Sequence, residues 1–216
     1  AVPRRAPVGD VLVSNKYKTL DSLPEGARIG TGSLRRKAQL LHLRPDLNIL
    51  DIRGNVDTRI AKMESGDYDA ILLAEAGLSR LGLDQWLDGK MPLDYILPAI
   101  GQGALGLETR TDDETTRGPL IELLDHPPTH AAVLAERAML AKLQGGCLAP
   151  IAAWAHTDPE TGGLTLAARV LSSSGHDIVE TTLHGKRSAA EALGLQAADD
   201  LLSQGAAELI ESSRGA

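Results

Sequence analysis

Residues 27–83 read ARIGTGSLRRKAQLLHLRPDLNILDIRGNVDTRIAKMESGDYDAILLAEAGLSRLGL, and one pattern occurs in them three times: a short apolar strand, a turn, then a helix. The strands are predicted at 28–31, 47–52 and 70–73, and the helices at 33–43, 56–64 and 76–81. Apolar strands alternating with short helices need crossover connections, and crossovers build a parallel sheet covered by helices. This is an α/β domain by expectation. Its ligand site should lie beyond the carboxyl ends of the strands, where helix N-termini present unpaired N–H groups.

A different module is expected downstream. The prolines within 92–98 mark a linker, and 99–109 is interrupted by glycines and then strand-like at Ala104, Leu105 and Leu107. Pro119, Pro127 and Pro128 bracket a short helix and set a second boundary. Thr129 is then the expected cap of a helix whose apolar positions Ala132, Val133, Ala135, Met139, Leu140 and Leu143 recur at helical spacing, ending at Gly145 and Gly146. Strands at 151–156, 164–171 and 178–183, separated by turn signals at 158–163 and 172–175, are spaced closely enough for an antiparallel meander. An amphipathic helix from about Ser188, interrupted at Gly194 and Gly205, would cover one face.

Composition narrows the function classes. With 216 residues, 43% hydrophobic and 24% charged, the chain can bury one large or two modest cores. It has no apolar run long enough to span a bilayer and no secretory core near its start, so a cytoplasmic location without membrane contact is expected. The formal charge is −7, with two Trp, three Tyr and no Phe, which leaves neither a basic stripe nor a base-stacking platform for nucleic acid. Against that acidic background Arg28, Arg35, Arg36, Arg44, Arg53, Arg59 and Arg80 gather within 28–80, with Lys37 and Lys62 among them. Guanidinium forks match carboxylates and phosphates, so the cluster points to a specific anionic ligand, set against the plainer reading of solvated helix faces.

Three segments carry the candidate chemistry. GTGSLRR at 30–36 runs from a strand into a helix capped by Ser33, a plausible anion cradle that is neither a P-loop nor a dinucleotide fingerprint. RGNVDTR at 53–59 turns at Gly54 and Asn55 and puts Arg59 near a helix N-terminus, where a cation opposes the macrodipole by roughly 0.3–1 kcal/mol unless a bound anion offsets it. Arg44, beside Pro45, reads as solvated. GGC at 145–147 follows a helix C-terminus, where the dipole disfavours a thiolate. The lone Cys147 can form neither an internal disulfide nor a Cys-rich zinc site, which leaves a buried structural thiol, a reactive one, or a covalent attachment point.

Taken in order, LPEG at 23–26, GTGSLRR at 30–36, LRPDL at 43–47, RGNVDTR at 53–59, YDAIL at 68–72, AGLSR at 76–80, GQGAL at 101–105, AER at 135–137 and GGC at 145–147 resemble the hydroxymethylbilane synthase (porphobilinogen deaminase) family. The resemblance implies a transferase of porphyrin, haem and chlorophyll biosynthesis that joins four porphobilinogen units into a linear tetrapyrrole. It implies a dipyrromethane cofactor held by a thioether to Cys147. Thr31, Ser33, Arg35, Arg36, Arg53, Arg59 and Arg80 would hold the acetate and propionate groups of cofactor and growing polypyrrole, with no metal. Each pyrrole brings two carboxylates, so the arginine cluster gains a ligand of matching charge.

By the same resemblance the fold is a periplasmic-binding-protein-like parallel-sheet domain over 1–98 and a return segment of an incomplete first domain over 99–125. A small α+β domain with a three-stranded antiparallel sheet, carrying the cofactor cysteine, follows over 126–216. The family's His-Ser-x-Lys-Asp motif, which supplies the catalytic aspartate, is not in this sequence, and roughly the amino-terminal third of the family's chain is missing. No catalytic residue is therefore expected here, and the chain alone should be inactive. The family is usually monomeric; this chain would self-associate or pair with the amino-terminal portion. The competing readings are a non-enzymatic anion-binding module and a structural fragment. Smaller departures are Gly32, where the family commonly has Ser, and Ala152 and Trp154, where Gly and Tyr are usual.

Overall fold

The computed structural model of the chain describes residues 1–144 and 149–214. Strand β1 is Asp10–Val13; β2 (Arg28–Gly30), α1 (Leu34–Leu43), β3 (Asn48–Leu50), α2 (Val56–Glu64), β4 (Ala70–Ala74) and α3 (Glu75–Arg80) then realise the threefold strand, turn and helix pattern. The sheet order is β1-β4-β2-β3, in which β2 pairs parallel with both β3 and β4. β1 pairs antiparallel with β4, from Asp10 opposite Ala74 to Val13 opposite Ile71, so the sheet is mixed where a parallel one was predicted. β1 escapes the pattern because it is only four residues long, is followed by only a three-residue 3-10 turn at Leu20–Ser22, and is buried at every position including its aspartate.

Two apolar layers enclose this sheet. On one face Leu40 of α1 packs with Leu12, Ile29 and Leu72; on the other, Ile60 and Met63 of α2 and Leu78 of α3 pack with Val11, Val13, Ile71 and Leu73. Full burial of side chains such as Ile29 and Ile71 stabilises the domain by about 1.5–3 kcal/mol each.

Residues 99–109 form no strand: turns at 100–103 give way to irregular chain, with Leu105 65% exposed. The apolar alternation is present, but no neighbouring strand among the described residues pairs with it. Its partner is instead the start of the chain, where Leu107 N–H donates to Ala1 O at 2.9 Å and Ala6 N–H to Gly103 O at 2.9 Å. Helix α4 (Glu114–Leu124) contains Pro119 where a boundary was expected, and none of its residues is buried. Helix α5 (Pro127–Lys142) is capped by His126, not Thr129: two prolines at the first two helical positions need no N–H acceptor, and His126 accepts from Thr129 N–H instead.

Towards the carboxyl terminus, β5 (Ile151–Thr157), β6 (Gly163–Leu171) and β7 (Ile178–Lys186) form the antiparallel meander in the order β5-β6-β7. Alternate residues of β6 are buried, the period-two pattern of a sheet with one covered face. That face packs on α5, α6 (Ala190–Ser203) and α7 (Ala206–Arg214) around Met139, Ile151, Leu164, Leu166 and Leu201. Gly194, expected to interrupt the last helix, lies inside α6: a Cβ there would sit 2.2 Å from Ala135 O, so the glycine permits close packing of α6 on α5.

The modules meet along one face of α1. Arg35, Gln39 and His42, at helical spacing i, i+4 and i+7, bond respectively to Leu97 O, to both backbone groups of Leu97, and to Gly175 O in the β6–β7 turn. Glu136 of α5 is fully buried and holds a second junction. It pairs bidentately with Arg5 at 2.7 and 3.0 Å and accepts from Gly101 N–H at 2.7 Å and Ala155 N–H at 2.8 Å.

Candidate anion-binding site

Because β2, β3 and β4 are parallel, their carboxyl ends share one edge, and the segments at 31–33, 51–55 and 75 emerge there together. Thr31 N–H continues the sheet by donating to Leu50 O at 3.0 Å, and its buried Oγ1 accepts from Ser33 N–H at 3.2 Å. Ser33 caps α1 as expected, accepting from Arg36 N–H at 3.4 Å. Gly32 lies against the next loop: a Cβ there would be 3.1 Å from Asp51 Oδ1 and 3.2 Å from Ile52 O. The bare glycine thus lets two site loops touch where a serine would crowd them. Asn55 caps α2 through Thr58 N–H at 2.9 Å, and Gly54 at φ +118° makes the turn before it.

The two adjacent arginines lie mostly inside the protein. The Arg35 side chain is 6% exposed; it donates to Leu97 O, to Asp10 Oδ2 at 2.8 Å and to Gln102 Oε1 at 3.4 Å. Its terminal nitrogens are thus bonded within the protein. Arg36, 11% exposed, donates to Asp10 Oδ1 at 2.7 Å and to Leu72 O at 3.3 Å. The Nε atoms of both are buried without a partner.

Asp10, whose side chain is fully buried, thus faces two guanidiniums with one carboxylate. Burial pushes its carboxyl up, but Arg36 and Arg35 outweigh that and hold it below the usual carboxylate range. Burial pulls Arg35 down, against the support of Asp10 and with the further push of Arg36. A guanidinium keeps its proton in proteins, so both arginines count as charged. The neighbouring Glu75 is paired with Lys90 at 2.6 Å, so it does not offset the second guanidinium.

The other predicted arginines are more open. Arg53 is 91% exposed and touches Asp51 at 3.2 Å; half-buried Arg59 folds back to donate to Gly54 O at 2.8 Å. Arg80 is exposed at the last position of α3, roughly 9 Å of helix axis from the strand edge. Cys147 lies outside the described residues. Arg44 is not solvated: it binds Asp46 twice at 2.7 Å and donates to Leu20 O at 2.9 Å and Leu23 O at 3.2 Å.

Sequence reading missed Asp10 and Gln102. Gln102 donates to Val8 O at 2.6 Å and to Asp10 Oδ1 at 3.0 Å, tying the two chain crossings to the arginine pair. The available signals were an acid directly before the apolar run Val11, Leu12 and Val13, and an amide set between Gly101 and Gly103.

What these residues can do chemically is hold anions. Two guanidiniums with one counter-charge, two orphaned Nε groups and a helix N-terminus make a buried cluster with excess positive charge. That donor set fits a polycarboxylate. No helix among the described residues is long and apolar enough to cross a membrane.

Known proteins give the cluster a context. Residues 1–118 match the family model described as porphobilinogen deaminase, dipyromethane cofactor binding domain, and residues 130–203 match the porphobilinogen deaminase C-terminal domain. The chain is also similar to the porphobilinogen deaminase of Brevibacillus brevis (strain 47 / JCM 6285 / NBRC 100599), 47% identical over 210 residues, covering 97% of this chain and 67% of the relative. The mixed sheet with its arginine-bearing edge and the separate three-stranded sheet fall within these two matches, and the chain belongs to the porphobilinogen deaminase family.

Proposed function

We propose that this chain forms the cofactor-holding part of a hydroxymethylbilane synthase, a transferase of tetrapyrrole biosynthesis that takes porphobilinogen as substrate. The observation that carries the reading is the excess positive charge buried at the start of α1 in a chain of net charge −7. A dipyrromethane, when attached, supplies the terminal pyrrole that is extended. On this reading Arg36, Arg53, Arg59 and Arg80 take the acetate and propionate groups, with Thr31 and Ser33 shaping the loop beneath them. Arg35 supports the cradle from inside. Cys147 is the thioether anchor, a role that needs a stable bond and not an activated thiolate.

These residues bind and orient a polyanion; the proton chemistry on the pyrroles belongs to a carboxylate outside this chain. The domain reading is that 1–98 is a binding-protein-like domain, 99–125 returns to a first domain, and 126–216 carries the cysteine. The hydrogen bonds of Ala1 and Ala6 to Leu107 and Gly103 support grouping the first few residues with the return segment instead. Exposed Leu105, Leu123 and Leu134 support an amino-terminal portion as the partner of that region.

The test is porphobilinogen consumption by the chain alone and after adding a separately expressed amino-terminal segment of the family. Turnover is expected only in the mixture. Turnover by the chain alone would mean that a carboxylate within it, such as Asp57 or Glu75, performs the chemistry. Binding without turnover in either case would favour a non-enzymatic anion-binding module.

A further inference from the structure

Asp10 has the geometry of a group that acts on the site through another residue. Its two oxygens are divided: Oδ2 takes Arg35, and Oδ1 takes Arg36 at 2.7 Å together with Gln102 at 3.0 Å. Only one of those arginines has a second task in view. Arg35 is fixed independently by Leu97 O and Gln102 Oε1, inside the seam between the modules. Arg36 has one other acceptor, Leu72 O at 3.3 Å, and is the more exposed of the two, on the first turn of α1.

We propose that Asp10 is a positioning residue for the polypyrrole cradle: it fixes the guanidinium of Arg36 toward the ligand edge and leaves the pair with a single excess positive charge. This rests on the reading of the α1 N-terminus as the cradle. A long cationic side chain without a fixed acceptor loses rotamer freedom on every binding event, and a pre-set one does not. An amide at this position would keep the shape but offer one uncharged acceptor oxygen in place of two carboxylate oxygens, so one arginine contact is lost and the other weakened. Gln102 completes the device by linking the Asp10 oxygen to the backbone of Val8, so the aspartate is itself held from the neighbouring chain crossing.

The experiment measures non-covalent binding of a dipyrromethane tetracarboxylate lacking any leaving group, by calorimetry, to the 216-residue chain and its variants. Arg35→Met keeps the Asp10 contact to Arg36 but removes the excess charge, so it should bind more weakly than the unsubstituted chain and serves as the reference for the paired variants. Asp10→Asn/Arg35→Met regains a net positive charge, yet, with Arg36 no longer held, should bind roughly ten-fold or more weakly than Arg35→Met, and Asp10→Glu/Arg35→Met, with a longer carboxylate in the vacated volume, should recover most of that loss. The paired replacement keeps the test usable even if Asp10→Asn alone does not fold, because removing both members of a buried ion pair is tolerated better than removing one. Equal affinity of all three Arg35→Met proteins would overturn the proposal and leave Asp10 as a counter-charge for Arg35 only. Undiminished binding by Arg36→Ala is a separate result, which would overturn the cradle itself.

Discussion

Gln39 and Leu97 exchange two hydrogen bonds: Leu97 N–H donates to Gln39 Oε1 at 2.9 Å, and Gln39 Nε2 donates to Leu97 O at 3.1 Å. A side-chain amide on α1 thereby does for the linker what a neighbouring strand would do, satisfying both backbone groups of a buried residue. Gln39→Leu is expected to cost about 1–3 kcal/mol in urea unfolding, since it strands a buried N–H. An unchanged midpoint would show that water satisfies Leu97 equally well.

The Asp10 carboxyl sets an acid limit on stability. Its folded pKa lies below the unfolded value, so it contributes stability that is fully present above the unfolded carboxylate range and is lost as pH falls through the folded value. Thermal melts from pH 6 downward should show stability falling below about pH 4. Asp10→Asn should start lower and lose less across that window; parallel curves would remove Asp10 from the acid transition.

Binding and stability should separate between Arg59 and Arg44. Arg59→Ala is expected to weaken dipyrromethane tetracarboxylate binding by about 1.5–3 kcal/mol with little change in unfolding. Arg44→Ala is expected to leave binding intact and destabilise by about 1–3 kcal/mol, because it releases Leu20 O, Leu23 O and Asp46 together. Equal small effects at both sites would support solvated arginines throughout.

For Cys147 the expected modification is a dipyrromethane thioether. Intact-mass analysis of protein made together with the amino-terminal portion should show the cofactor increment, absent from Cys147→Ser. A free thiol in an active mixture would refute the anchor.

The local pattern was legible because it depends on near neighbours. The period of apolar residues, the cap Ser33 and the turn at Gly54 and Asn55 predicted α1, α2 and the three parallel strands, and turn residues predicted the meander β5-β6-β7. The family motifs, read in order, supplied the family before any contact was known.

Contacts between residues far apart in the chain could not be read that way. β1 is a strand because β4 offers it an edge, and 104–107 is not one because no described strand does. The sequence placed Arg35, Arg36 and Arg44 in one arginine-rich stretch as equivalent charges, with Arg44 set aside only for its neighbour Pro45. Tertiary structure made them different: Arg44 became a brace on the loop at Leu20 and Leu23, Arg35 an internal seam, and Arg36 the more exposed member of the adjacent pair. A charge is local, but its partner is not. Asp10 lies 25 residues from Arg35, and only folding sets its carboxylate between the two arginines.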